Sequence, residues 1–376
     1  MKHTRILLIL GIIAFALLNG CSKDDNQPDT SKYAIYTAGE YNINHACYWK
    51  NGERSDFGNV GDITGMSVSN GNVYVSGYFS AGNAPPYSAP SFWKNGVKTN
   101  LPDDTDLPSG SPFRAAYAKG VYATGNDVYT VGRYNVSDAS PYNFRVQPCY
   151  WKNTTRFDIT DYPDRFAETT CIFVSGSDVY IGGKYLVPNS DGFSEAYQAC
   201  YWKNGVKTDL PAGVDSYVTD IFVENGKVYA VGSWKNETFP PFYSTVCYWA
   251  DGQKVDLITV KDPLYDFHHA NAIFVDNGTV YIAGGLSYED SGNACYWKGN
   301  NLTKLTKNAA AHSIFVKDGI VFTSGCCDAK NGKCYETGAI GTVPCYWVNT
   351  KCTELSIESH DWCNSYNNYA IGIFVE

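Results

Sequence analysis

The sequence predicts an all-β fold, a seven-bladed β-propeller of four-stranded antiparallel blades. Three observations carry this expectation. Seven tryptophans, Trp49, Trp93, Trp151, Trp202, Trp249, Trp297 and Trp347, recur at intervals of 44, 58, 51, 47, 48 and 50 residues. Each belongs to a set of four short runs rich in Val, Ile, Tyr and Phe, which is strand composition. The third observation concerns the ends. The repeat starts in mid-pattern at Tyr33, on a second run ("YAIYTAGEY"), and residues 369–376 ("YAIGIFVE") are a first run without successors. Docking the last run beside the first three completes a blade and closes a ring, which leaves no exposed sheet edges.

The elements follow in order. First strands read "CIFVSGSD", "DIFVENGK", "AIFVDNGT" and "SIFVKDGI". Second strands read "VYVSG", "VYTVG", "VYIGG", "VYAVG", "VYIAG" and "VFTSG", and third strands carry the Trp, as in "ACYWKNG". Fourth strands read "KTDLP" or "KVDLI". Asn-Gly between strands one and two and between three and four supplies the positive φ of a tight hairpin turn. The links from two to three and from four to the next blade are long and aromatic. One face of the ring is therefore trimmed and the opposite face is elaborated.

The repeat resembles the YWKNG-type repeats of bacterial, often lipid-anchored, β-propeller proteins of unknown function, over residues 33–376. The N-terminus fits that company. Lys2 and Arg5 precede a 13-residue apolar run (6–18), too short for a comfortable membrane span, which ends in "LNGC". This resembles a bacterial lipobox, which implies removal of residues 1–20 and lipidation of Cys21. "CSKDD" is similar to the surface-export signal of Bacteroidetes lipoproteins, so the expected location is the outer membrane, facing outward. Residues 22–32 lack apolar periodicity and read as a flexible tether. Three regions result: a signal peptide (1–20), a lipidated tether (21–32) and the propeller (33–376).

Charge narrows the partners. The whole chain carries a formal −9, and without Lys2 and Arg5 the balance is 27 − 38 = −11. Nucleic acid, which needs a basic footprint, is not an expected partner. The expected partners are the membrane, through the lipid, and a glycan or surface protein; the propeller itself is expected to be monomeric. No cofactor or metal is expected, because Walker, Rossmann, GxSxG, HExxH and calcium-loop patterns are all missing.

Six blades place Cys ahead of the aromatic pair, at Cys47, Cys149, Cys200, Cys247, Cys295 and Cys345, and Ser91 takes that place in the other. Positions related around a ring are too far apart to pair, so these cysteines read as small buried hydrophobes. Cys326, Cys327, Cys334, Cys352 and Cys363 cluster in and after the last whole repeat and read as disulfide candidates in an exported protein. The bridges expected are Cys326 or Cys327 with Cys334, and Cys352 with Cys363.

Two groups of residues are candidates for ligand contact. The residue two before each Ile-Phe-Val core enters the first strand near the axis: Thr64, Lys119, Thr170, Thr219, Asn271, His312 and Ile371. It varies while the core around it repeats. The long loops offer Tyr87, Tyr142, Phe193, Trp234, Phe242, Tyr243, Tyr265, Phe267 and the neighbouring His268, rings that suit sugar faces or a protein partner. A binding module is therefore expected, with a carbohydrate-active enzyme using loop carboxylates or a structural subunit of a surface complex as alternatives.

Overall fold

The structure, a computed structural model, describes residues 27–376 apart from 42–44, 60, 80–87, 104–105, 108–110, 112, 138–143, 163–165, 189–194, 236–243, 259–267, 289–290, 334–339 and 358–367. Tyr33–Glu376 is one compact unit. Its strands form seven antiparallel four-stranded sheets and, among the described residues, no helix. Six sheets are consecutive quartets, blades 2 to 7. Blade 1 joins the C-terminal strand Tyr369–Val375 to Ile35–Tyr41, His45–Lys50 and Glu53–Asn59. The predicted ring closure is the observed one.

The first strands are Ile63–Ser69, Ala116–Thr124, Ala167–Ser175, Val214–Glu224, His268–Asp276, Ala309–Lys317 and Tyr369–Val375. Each touches the first strand of the next blade around the whole ring, so together they line the axis. Near the trimmed end, six of them contribute an aromatic collar, Tyr122, Phe173, Phe222, Phe274, Phe315 and Phe374. Successive ring centroids there are 4.7 to 4.9 Å apart.

The "KNG" turn is explained by local chemistry. Asn51 and Gly52 both have positive φ (53° and 84°), as do Asn95–Gly96, Asn204–Gly205 and Asp251–Gly252. This pair of left-handed residues matches the twist of the flanking strands. The asparagine has a second role. Its side-chain oxygen accepts an N–H from the start of the second strand: Ile35 donates to Asn51, Val73 to Asn95 and Val179 to Asn204, each at 2.8 Å. Asn153, Asp251 and Asn349 do the same, so the third-to-fourth turn is tied to the strand beside it in six blades, the exception being the blade with Gly299 at that place.

All seven repeat tryptophans are essentially inaccessible, with 0–1 % exposure. Most reach back to the preceding blade through the indole N–H: Trp49 to the Ser356 carbonyl (3.1 Å), Trp151 to Pro102 (3.0 Å), Trp202 to Asp161 (2.8 Å) and Trp249 to Pro211 (2.7 Å). The six repeat cysteines and Ser91 are fully buried. Each sits directly across from a second-strand glycine, such as Cys47 from Gly39 and Cys149 from Gly132. Burial raises the thiol pKa of these cysteines, which keeps them as inert thiols.

A further repeated contact pins the outer strands. A second-strand aromatic lies under a fourth-strand cation: Tyr41 under Arg54 (4.3 Å), Phe79 under Lys98 (4.5 Å), Tyr134 under Arg156 (4.0 Å), Tyr185 under Lys207 (3.8 Å) and Trp234 under Lys254 (3.7 Å). Such pairs contribute about 0.5–2 kcal/mol each. The Trp234 indole N–H also donates to Asp256, 3.0 Å away. Trp234 therefore lies in the second strand as a member of this scaffold clamp.

Candidate functional site: the axial cavity

In all seven blades the pairing of first and second strands slips by one residue at the same place. The residue left unpaired is Thr64, Lys119, Thr170, Thr219, Asn271, His312 or, in the closing strand, Ile371. These are the seven positions that the sequence singled out, and the device that presents them is a β-bulge. The bulge explains the last glycine of "VYxxG". A Cβ there would lie 1.8–2.4 Å from the carbonyl oxygen of the first-strand residue two before the bulge, at Gly39, Gly77, Gly132, Gly183, Gly232, Gly284 and Gly325 alike. Only glycine lets the two backbones approach so closely.

The bulge residues surround a cavity of ≈ 220 Å³ on the axis, whose wall also includes Asp220, Cys171 and Ser313. Four of the seven are tied to the neighbouring blade. Thr64 donates to the Ala118 carbonyl (3.0 Å), Thr170 to Val218 (2.8 Å), Thr219 to Ala270 (2.8 Å) and Asn271 to Ala311 (2.7 Å). These four form a broken girdle of inter-blade hydrogen bonds. Lys119, His312 and Ile371 make no such bond among the described residues. Of the predicted contact residues, Thr170, Thr219 and Asn271 thus have a structural duty as well as a place in the wall.

A second variable tier adjoins the cavity toward the long-loop face. It pairs the residue two before each bulge with the one after the "VYxxG" glycine: Tyr369 with Glu40, Tyr117 with Arg133, Glu168 with Lys184, Tyr217 with Ser233, His269 with Gly285 and Ala310 with Cys326. In blade 2 the Tyr78 hydroxyl donates to the Asp62 carboxylate. Sequence inspection missed this tier. The signal was available, because the residue after that glycine is Glu, Tyr, Arg, Lys, Ser, Gly and Cys in turn.

Charge is distributed unevenly around the ring. Blades 3 and 4 bring three cations, Lys119, Arg133 and Lys184, near one carboxylate, Glu168. Arg133 and Lys184 each stand 3.7 Å from Glu168, and their cationic groups lie over Tyr117 (5.1 Å) and Tyr197 (4.0 Å). The buried Arg133 Nε has no hydrogen-bond partner among the described residues. Burial lowers the Lys119 pKa, with Glu168 and Asp62 opposing the shift. Blades 1 and 2 are acidic by contrast. Burial pushes Glu40 up to about 7, against the hydrogen bond it accepts from Ile63 N–H.

Two other titratable groups face the axis. Burial pushes Asp220 up to about 7, although its oxygens accept the N–H groups of Ile221 and Ile273 at 2.9 Å each. His312 is pushed down to about 4 by burial and by the nearby His269. The sign of the histidine effect is fixed. A histidine whose folded pKa is depressed binds fewer protons than the unfolded chain, so its contribution is lost as pH falls from about 6.5 toward 4. Against a His312→Asn variant, the wild-type protein is expected to lose relative stability across that window in urea unfolding. A constant difference between the two would contradict the assignment.

The other sequence candidates fall elsewhere. His268 is buried inside the blade, and its neighbour His269 is the residue beside His312. Gly285 makes room for the His269 ring, since a Cβ there would stand 2.7 Å from it. Tyr87, Tyr142, Phe193, Phe242, Tyr243, Tyr265 and Phe267 lie outside the described residues, as do Cys21, Cys334 and Cys363. Cys326 occupies the variable tier. Cys327 and Cys352 stand where other blades place the aromatic and the cation, with sulfurs 3.7 Å apart, and Cys345 completes a triangle within 4.8 Å. The structure thus sets Cys352 beside Cys327. Oxidation of the folded protein is expected to join this pair, read as a loss of two thiols on alkylation and a cross-linked peptide; Cys345, buried at its repeat position, stays free.

No protein-family profile matches the chain, and no curated protein matches it. Among solved structures, it is similar to the β-propeller domain of the Trilobed protease from Pyrococcus furiosus, with 10 % identity, TM-score 0.49 and coverage of 86 % of this chain and 94 % of that one. The Phage phi92 endosialidase matches with 10 % identity, TM-score 0.49 and coverage of 87 % and 70 %. The computationally designed Ika8 protein matches with 16 % identity, TM-score 0.37 and coverage of 77 % and 80 %. Likeness at this level carries nothing about activity.

Proposed function

We propose that the chain is a lipid-anchored surface protein whose propeller is a binding module. It holds a small polar ligand, a glycan residue first among the choices, in the axial cavity. The observation that carries this reading is the repeated bulge: one backbone device, held by an unvarying glycine, presents side chains that differ around the ring. Scaffold demands account for the glycine, the tryptophan and the cysteine, which repeat. They do not account for Lys119 and His312, which stand where other blades have a bonded Thr or Asn. The cavity volume of ≈ 220 Å³ lies below the range for drug-sized ligands and fits a single sugar.

The enzymatic alternative has less support. Asp220 spends both oxygens on backbone N–H groups, and Glu40 accepts one backbone N–H and a bond from Tyr369, so neither of these carboxyls, held near neutral pH by burial, is free for a substrate. A glycan array probed with the mature chain, followed by product analysis, separates the readings. Retention of a glycan without a released saccharide is expected, whereas a released saccharide would make the protein an enzyme. The lipobox resemblance supports the anchor. Cys21→Ser is expected to abolish palmitate incorporation and free the protein from the membrane fraction; a variant that stays membrane-bound would remove the anchor from the account.

A further inference from the structure

We infer that the ligand of the axial cavity is an anionic monosaccharide-sized molecule whose acidic group docks on Lys119, with Arg133 and Lys184 behind it. The inference rests on the cavity being the ligand site and names the chemistry of what enters it. The first support is the state of Lys119. It projects from a bulge into the cavity wall, yet its ammonium has no hydrogen bond and no ion pair among the described residues; its nearest recorded neighbour is the Tyr117 ring, 5.9 Å away. A half-buried, unbonded ammonium is costly unless something else completes its shell.

The second support is the imbalance around it. Lys119 shares its surroundings with Arg133, Lys184, Glu168 and Asp62. Arg133 and Lys184 share the single carboxylate of Glu168 at the long distance of 3.7 Å each, so neither cation is saturated. Asp62 narrows the imbalance without closing it, since three cations still face two carboxylates, and the Tyr78 hydroxyl already takes up part of the Asp62 carboxylate's hydrogen-bonding capacity. The third support is the aromatic frame. Tyr117, Tyr197 and Tyr217 lie beneath these cations, with Lys184 5.7 Å from the Tyr217 ring. Rings next to cations suit a saccharide face beside an acidic substituent. A cationic ligand is disfavoured in blades 3 and 4 by the same charges, and a neutral one leaves Lys119 as it is.

Calorimetric titration of the mature chain with glucuronate, glucose 6-phosphate, glucose and glucosamine tests the inference. Either anion is expected to bind at least about tenfold more tightly than glucose or glucosamine, the scale of one charge-assisted hydrogen bond. The two anionic arms tell a carboxylate from a phosphate. Lys119→Met is expected to remove that preference and Lys119→Arg to retain most of it, with far-ultraviolet dichroism confirming that both variants fold. Equal or tighter binding of glucose or glucosamine would overturn the anion assignment while leaving the cavity as the site. Absence of binding by either anion would overturn it too. Anion binding that is unchanged in Lys119→Met would show that the acidic group docks elsewhere.

Discussion

Trp202→Ala is expected to destabilise the protein by about 4 kcal/mol, the upper range for emptying a buried aromatic site. The indole is fully buried, and its N–H donates to the Asp161 carbonyl in the preceding blade, 2.8 Å away. Truncation therefore opens a cavity, removes an inter-blade hydrogen bond and leaves a carbonyl without its donor. The ring architecture sharpens the effect, because each blade is stabilised chiefly by its two neighbours. A second variant separates the two losses. Trp202→Phe keeps most of the buried ring and removes only the indole N–H, so it is expected to cost about 2 kcal/mol less than Trp202→Ala. Urea unfolding curves measure both, and equal costs would show that filling the inter-blade space contributes nothing.

Gly232→Ala is expected to cost about 3 kcal/mol, as overpacking against backbone does. Its added methyl would stand 1.9 Å from the Tyr217 carbonyl oxygen, and neither chain segment can swing aside as a side chain could. The first strand would have to give up the bulge or move away from the second. Thr219 would then leave the axis and its bond to the Ala270 carbonyl. Gly285→Ala supplies the contrast. There the methyl meets only the His269 ring, which can rotate, so the cost is expected to stay below about 1 kcal/mol. If Gly232→Ala proved as mild as Gly285→Ala, the bulge would not be what the repeated glycine serves.

The scaffold was legible in the sequence because it repeats. Trp spacing, Asn-Gly turns and the orphan last strand are each fixed by local chemistry that a single blade already shows, and seven copies make the pattern hard to miss. The bulge residues were legible for the opposite reason, as variable positions inside a constant frame. What the sequence does not show is which residue of a neighbouring pair faces the axis, because a bulge adds one residue and so exchanges the two faces of a strand. His268 reads in sequence as a neighbour of the long loop, and it is the next residue, His269, that stands beside His312. Trp234 reads in sequence as part of a long loop, whereas it stands near the end of the second strand under Lys254, a contact made with a residue twenty positions further along. The thiol triangle was hidden because Cys345 belongs to the repeat and only folding brings Cys327 and Cys352 against it.

The claim that the axial cavity, not the outer loops, receives the ligand is tested most directly by filling it. Ile371 lines the cavity, makes no hydrogen bond into the neighbouring blade among the described residues and is spared the girdle duty of Thr64, Thr170, Thr219 and Asn271. Ile371 also packs against the core shared by blades 1 and 2, so Ile371→Trp should occupy the space at some cost in stability while leaving the long loops as they are. On a glycan array, whichever glycan the mature wild-type chain retains is expected to be lost by Ile371→Trp, with circular dichroism and a cooperative melt confirming that the variant is folded. Undiminished retention by the filled variant would contradict the account and move the site to the long loops.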